Sequence, residues 1–176
     1  MNYILFDDSR EKLLPLTFTR PVCDLRIGIL TIREKWEAYL KATTSTLTED
    51  YLRVKFPMVS ASKNMLINGS VCPSAELVSD IESLKNGDRL IKDGKLLATQ
   101  IDGDVSTFQK ESESGKTFAG EVLDVEHPWD IFSKNGDAIE ADFEFLTAGT
   151  DFQDQKIILR SKNAFQMSAV KDYERK

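Results

Sequence analysis

The chain has two cysteines and one histidine in 176 residues, and so few soft ligands do not make a usual zinc set. Cys23 and Cys72 are far apart and form no CxxC pair, which points to a reducing cytoplasm with both thiols packed or idle. No apolar run reaches the roughly 18 residues of a membrane span. The N-terminus, MNYILFDDSREK, has no basic n-region, so no signal peptide is expected. An extended basic face is also missing. The net charge of −6 divides into +1 for residues 1–101, −11 for 102–154 and +4 for 155–176. That distribution argues against nucleic acid as a partner, although a small phosphorylated ligand needs only a local cluster. There is no internal repeat and no low-complexity tract.

What the chain does have is a dense block, LLPLTFTRPVCDLRIGILTIREKW, from Leu13 to Trp36. Four of its eight arginines fall between Arg10 and Arg33, interleaved with threonine and proline. The guanidinium fork suits bidentate contact with phosphate. The block follows a short apolar run, Tyr3–Phe6, that ends in Asp7-Asp8. Acids at a strand end, then an arginine-rich loop and a helix, suggest a phosphate or nucleotide site. The plainer alternative is a solvated connection over a sheet.

Tyr3–Phe6 and Asn64–Asn68 read as buried strands. Ile27 to about Lys41 has helical spacing, and Thr43–Thr48 reads as a polar break. Thr48 suits the N-cap of a short helix through Phe56, and Ser74 the N-cap of another through about Leu84. Asp93-Gly94 between two short apolar runs predicts a type I′ hairpin. Residues 102–117 read as a mobile loop, Phe118–Val125 as a further strand, and Asp137–Leu146 as a helix. His127–Phe132 reads as an aromatic packing anchor, with His127 more a packed or exposed imidazole than a base. Alternating strands and helices predict an α/β layer architecture. One domain spans 1–150, followed by an extension or linker, 151–176.

The segments LPLTFTRPV, LRIGILTIREKWE, NMLINGSVCPS and HPWDIF occur in an order that resembles the N-terminal domain of a bacterial sugar nucleotidyltransferase family. That family is related to the bifunctional N-acetylglucosamine-1-phosphate uridylyltransferase/glucosamine-1-phosphate acetyltransferase, and the resemblance covers roughly residues 1–147. It implies a Rossmann-like α/β fold, a mixed and mostly parallel sheet flanked by helices with a β-hairpin elaboration. It implies NTP and sugar 1-phosphate as substrates, Mg²⁺ as cofactor and pyrophosphate as leaving group. Family members commonly continue into a left-handed β-helix of hexapeptide repeats, which this chain does not contain. The resemblance leaves the oligomeric state open.

The resemblance also exposes departures. Well-studied sugar nucleotidyltransferases follow their first strand with a Gly-Gly-x-Gly-Thr-Arg loop, and here the chain reads Asp7-Asp8-Ser9-Arg10. Val22, not lysine, follows Pro21. Asn68-Gly69-Ser70 stands where those enzymes have Gly-Asp. On this basis Asp7 and Asp8 are expected to hold Mg²⁺, or to be a plain strand-ending turn. Arg20 and Arg26 are expected to bind phosphate and, together with Asp8, to act in catalysis, unless Arg26 is only in a surface salt bridge. Arg10 would take the outer triphosphate with help from Thr17 or Thr19. Asn68, Gly69 and Ser70 lie at a strand's carboxyl end, where open α/β sheets place ligands. A module that binds sugar nucleotides without catalysis is the other reading.

Overall fold

The structure is a computed structural model that describes residues 1–110 and 114–148, Thr107 by its backbone alone. The chain divides into two compact units, Met1–Glu144 and Phe145–Lys176. The expected extension 151–176 lies outside the described residues, as do residues 111–113 of the expected loop.

Six strands make one mixed sheet in the order β2-β1-β3-β5-β4-β6. They are β1 (Asn2–Phe6), β2 (Thr44–Leu47), β3 (Lys63–Asn68), β4 (Arg89–Lys92), β5 (Lys95–Asp102) and β6 (Lys116–Thr117). β1 runs parallel to both β2 and β3, and β5 runs antiparallel to β3 and β4. β4 pairs with β6 in parallel. The helices are α1 (Ile32–Leu40), α2 (Ala75–Glu82), α3 (Pro128–Ser133) and α4 (Asn135–Thr147).

Strand alternation buries both faces of the sheet. Leu5, Met65 and Ile67 join Trp36 of α1, Leu77 and Ile81 of α2 and Ala138 of α4 in the larger core. Ile4, Phe6 and Leu66 point the other way, into a smaller core with Ile91, Leu96 and Val105. There Phe108 sits 4.9 Å from the Phe6 ring centroid. Trp36 also donates its indole N–H to the Val71 carbonyl at 2.7 Å, which ties α1 to the chain leaving β3.

β1, β3 and α2 with its Ser74 cap match the sequence expectation. So does the hairpin, in which Asp93 and Gly94 both adopt positive φ, as a type I′ turn requires.

Other segments differ. α1 starts at Ile32 because Thr31 and Glu34 close a capping box and Gly28, at φ 77°, turns the chain just before it. A Cβ on Gly28 would lie 2.8 Å from the Ala138 carbonyl oxygen, so α4 packs directly on this turn. Asp142 of α4 accepts the Ile29 and Leu30 N–H groups at 2.8 and 3.2 Å and pairs with buried Lys35. The supposed break at Thr43–Thr48 contains β2, whose threonines serve both the strand and Arg33. Thr48 caps no helix, and the chain after it forms only a 3₁₀ turn, Asp50–Leu52. Phe118–Val125 is not a strand. It lies along the chain after β3 through Cys72 N–H to Leu123 O and Val125 N–H to Ser70 O, both 2.8 Å. The aromatic segment becomes α3, with Trp129 64% and Phe132 91% exposed, so its large rings stay outside the core and Ile131 is the side chain that packs on it. His127 stacks on Trp129 at 4.5 Å, an imidazole at the surface. Both cysteines are free and buried, and burial pushes the Cys72 thiol up to about 12 and Cys23 higher still.

Candidate active site

The carboxyl ends of β1 and β3 lie side by side, with Phe6 paired to Asn68. Gly69 donates its N–H to the Phe6 carbonyl at 2.9 Å, and a Cβ there would come within 3.0 Å of that oxygen. Glycine thus lets the backbone after β3 cross close to the end of β1, where an added Cβ would press on that carbonyl.

The two acids after β1 part ways. Asp7 is buried. Its Oδ1 accepts the Val22 N–H at 2.8 Å, and its Oδ2 accepts the Thr48 hydroxyl and faces Arg10 at 3.3 Å. Burial raises its carboxyl above the ordinary value, although Thr48, Val22 and Arg10 pull the other way. Both oxygens, expected at a metal, thus have protein partners. Asp8 is half-buried, and each of its oxygens has one hydrogen bond: Oδ1 from the Ser9 N–H and Oδ2 from Asn68 Nδ2, both 2.9 Å. A carboxylate has about four lone-pair directions, so Asp8 retains acceptor capacity.

Asn68 is the joint behind Asp8. Its amide also donates to Leu96 O at 2.9 Å, and its carbonyl accepts the Ser70 N–H and hydroxyl at 2.9 and 2.8 Å. Asn68 and Ser70 are fully buried, and both serve this network.

Arg10 is directed inward. Its guanidinium donates to Asp7, the Arg20 and Thr17 carbonyls and the Tyr51 hydroxyl. Thr17 is buried and donates its hydroxyl to Arg10 O at 2.9 Å. Arg10 and Thr17, expected on triphosphate, therefore stitch the loop together. Thr19 and Arg20 are exposed, and the Arg20 guanidinium has no hydrogen bond or ion pair among the described residues. Arg26 stays apart from this cluster, donating to Ile29 O and lying 3.7 Å from Glu34.

Against Asp8 lies a cleft of about 360 Å³ at the end of β1. Ser9, Lys12, Lys110, Lys95, Glu126 and the Asp93-Gly94 turn complete its wall. Ser9 adopts φ 54°, so the loop makes its left-handed turn without glycine. Lys95 is anchored by Asp124 at 2.5 Å and by Glu126. Burial works against its charge, but these two acids outweigh it and raise its pKa. Lys12 reaches Glu126 only at 3.6 Å and is more than half exposed. Lys12, Lys95, Lys110 and Glu126 carry no motif and come from four segments, so sequence reading passes over them.

No three His, Cys, Asp or Glu side chains form a metal-holding group among the described residues. Mg²⁺ that arrives with a polyphosphate needs only one or two protein carboxylates, with phosphate and water filling the rest. Asp8 fits that lighter requirement.

Open α/β sheets place ligands outside the carboxyl ends of their strands, and here an acid and cations gather at such an end. Residues 3–151 match the model of the sugar nucleotidyl transferase family, and the chain belongs to that family. The fold is similar to a crystal structure from Bacillus anthracis titled a "Putative Glucose-1-Phosphate Thymidylyltransferase", in complex with sucrose. The match has a TM-score of 0.50 at 12% identity and covers 80% of this chain and 96% of that one. No curated protein matches the sequence. No helix among the described residues is long and apolar enough to cross a membrane.

Proposed function

We propose that this protein transfers a nucleotidyl group from an NTP to a sugar 1-phosphate in the cleft beside Asp8. The observation that carries this reading is the meeting of Asp8 with Lys12 and Lys110 at the end of β1, in a family defined by that chemistry. An oxygen of the sugar 1-phosphate attacks the α-phosphorus. The bond from that phosphorus to the bridging β-phosphate oxygen breaks, and pyrophosphate leaves with the electron pair. No histidine base is required, because the attacking phosphate oxygen is already anionic. Lys12, Lys110 and Arg20 bind and orient the triphosphate, so that attack is in line and charge on the leaving group is stabilised. Asp8 would hold Mg²⁺, which when bound neutralises phosphate charge. Asn68 positions Asp8.

The test is pyrophosphate release in Mg²⁺ from a panel of NTPs crossed with sugar 1-phosphates, comparing wild type with Lys12→Ala and Arg20→Ala. Release that requires both substrates and falls in the variants supports the reading. The second reading is a module that binds sugar nucleotides without turning them over. It is favoured by Ser9 in place of a glycine loop and by buried Ser70 in place of a carboxylate. A well-folded protein that releases no pyrophosphate, yet melts higher with nucleotide, would select it.

A further inference from the structure

The loop from Leu13 to Pro21, which follows the cleft residue Lys12 in sequence, carries a feature that the reaction above does not use. Phe18 is 63% exposed and Tyr51 58%, and their rings lie 6.3 Å apart. Two large aromatic rings paired at the surface offer a flat apolar face to a ligand. These two are held in place. Tyr51 donates its hydroxyl to the Phe18 carbonyl at 2.8 Å and accepts from Arg10, whose guanidinium lies 5.6 Å from the Tyr51 ring centroid. The same guanidinium contacts Asp7, the neighbour of Asp8. One inward arginine therefore connects the aromatic pair to the acidic end of β1. Arg20, with its free guanidinium, is two residues from Phe18 in the same loop.

A held, exposed π surface tied through Arg10 to the acidic end of β1, with exposed Arg20 in the same loop and a lysine-lined cleft at that strand end, matches a ligand with a flat heterocycle at one end and a polyphosphate at the other. We infer that the Phe18–Tyr51 pair is the platform on which the base of the nucleotide stacks, Phe18 presenting the ring and Tyr51 holding it. This rests on the proposed function, and it assigns the base to a surface separate from the phosphate-binding lysines. Stacking on an aromatic side chain tolerates any base, so the platform contributes affinity more than choice among bases.

The experiment is calorimetric titration of the full chain, in Mg²⁺, with each of several NTPs and with inorganic tripolyphosphate as the probe without a base. Phe18→Ala is expected to weaken NTP binding on the order of tenfold or more and to leave tripolyphosphate binding unchanged. Phe18→Trp is expected to restore NTP binding. Because Phe18 is exposed, thermal melts of both variants should match wild type. Equal NTP affinity in wild type and Phe18→Ala overturns the platform, and so does an equal loss for NTP and tripolyphosphate. Self-association of wild type that Phe18→Ala abolishes, without change in NTP affinity, overturns it in favour of an interface between copies. Turnover with unaltered Phe18→Ala binding defeats the platform alone. Stacking without turnover in the wild type defeats the transferase reading alone.

Discussion

Asp7 and Asp8 are neighbours in sequence and opposites in circumstance. Asp7 faces inward, and backbone, hydroxyl and guanidinium groups take up both of its oxygens. Asp8 faces the cleft, held among the described residues only by Ser9 and Asn68, with exposed Lys12 and Lys110 on the surrounding wall. The arginines divide in the same way, Arg10 inward and Arg20 outward. Residue type therefore says little about role here. The same carboxylate or guanidinium is scaffold when its hydrogen-bonding capacity is filled by protein and stays open to a ligand when it is not.

The sharpest way to break this comparison is to exchange the fates of the two acids. Asp7→Ala leaves the Val22 N–H, the Thr48 hydroxyl and the part-buried Arg10 charge without their acceptor. It should cost about 3 kcal/mol of stability in urea titration. Asp8→Asn should melt like the wild type and lose turnover on the order of 100-fold or more in the pyrophosphate assay. If both variants lose stability alike, the distinction between the acids fails. Asn68→Ala orphans the Ser70 N–H and the Leu96 carbonyl and releases Asp8. It should cost about 2 kcal/mol and also lower turnover, joining the two sides of the comparison. Arg20→Ala should change stability by less than about 0.5 kcal/mol and weaken triphosphate binding roughly tenfold.

The smallest effect is in pH dependence, and its sign differs between Asp7 and Asp124. Burial raises the Asp7 carboxyl, so its contribution to stability is fully present below the ordinary carboxylate value. It is lost as pH rises through the raised one. Asp124 is the reverse. Burial opposes its charge, but Lys134 and Lys95 outweigh that and hold the carboxyl below its ordinary value. Its contribution is present above the ordinary value and lost as pH falls through the lowered one. Urea titrations between about pH 3 and 7 should show the gap between wild type and Asp7→Asn narrowing with rising pH. The gap for Asp124→Asn should widen.

Much of the scaffold was legible in the chain. The strands Asn2–Phe6 and Lys63–Asn68 are short apolar runs with turn residues after them. Ser74 marks α2, and Asp93-Gly94 permits the positive φ values that its hairpin needs. The Thr31–Glu34 capping box was also there to be read, and would have placed the start of α1 correctly. β2 was harder. Its Thr-Ser-Thr-Leu has little apolar content, and the strand exists because β1 supplies a parallel edge and Arg33 satisfies its threonines. The aromatics of α3 misled because side-chain type suggests burial while the direction each ring takes depends on how the helix docks.

Sequence alone determined the class of fold and the family, because hydrophobic periodicity, turn chemistry and a long specific block are local properties of the chain. Only tertiary structure decided which of two adjacent acids is free and which arginine of the loop points outward. It also brought Lys12, Lys95, Lys110 and Glu126 to one cleft. The physical reason is that availability is a residual. A polar group can meet a ligand only after the folded chain has taken the hydrogen bonds it needs, and partners such as Thr48 for Asp7, Asn68 for Asp8 and Tyr51 for Arg10 lie tens of residues away.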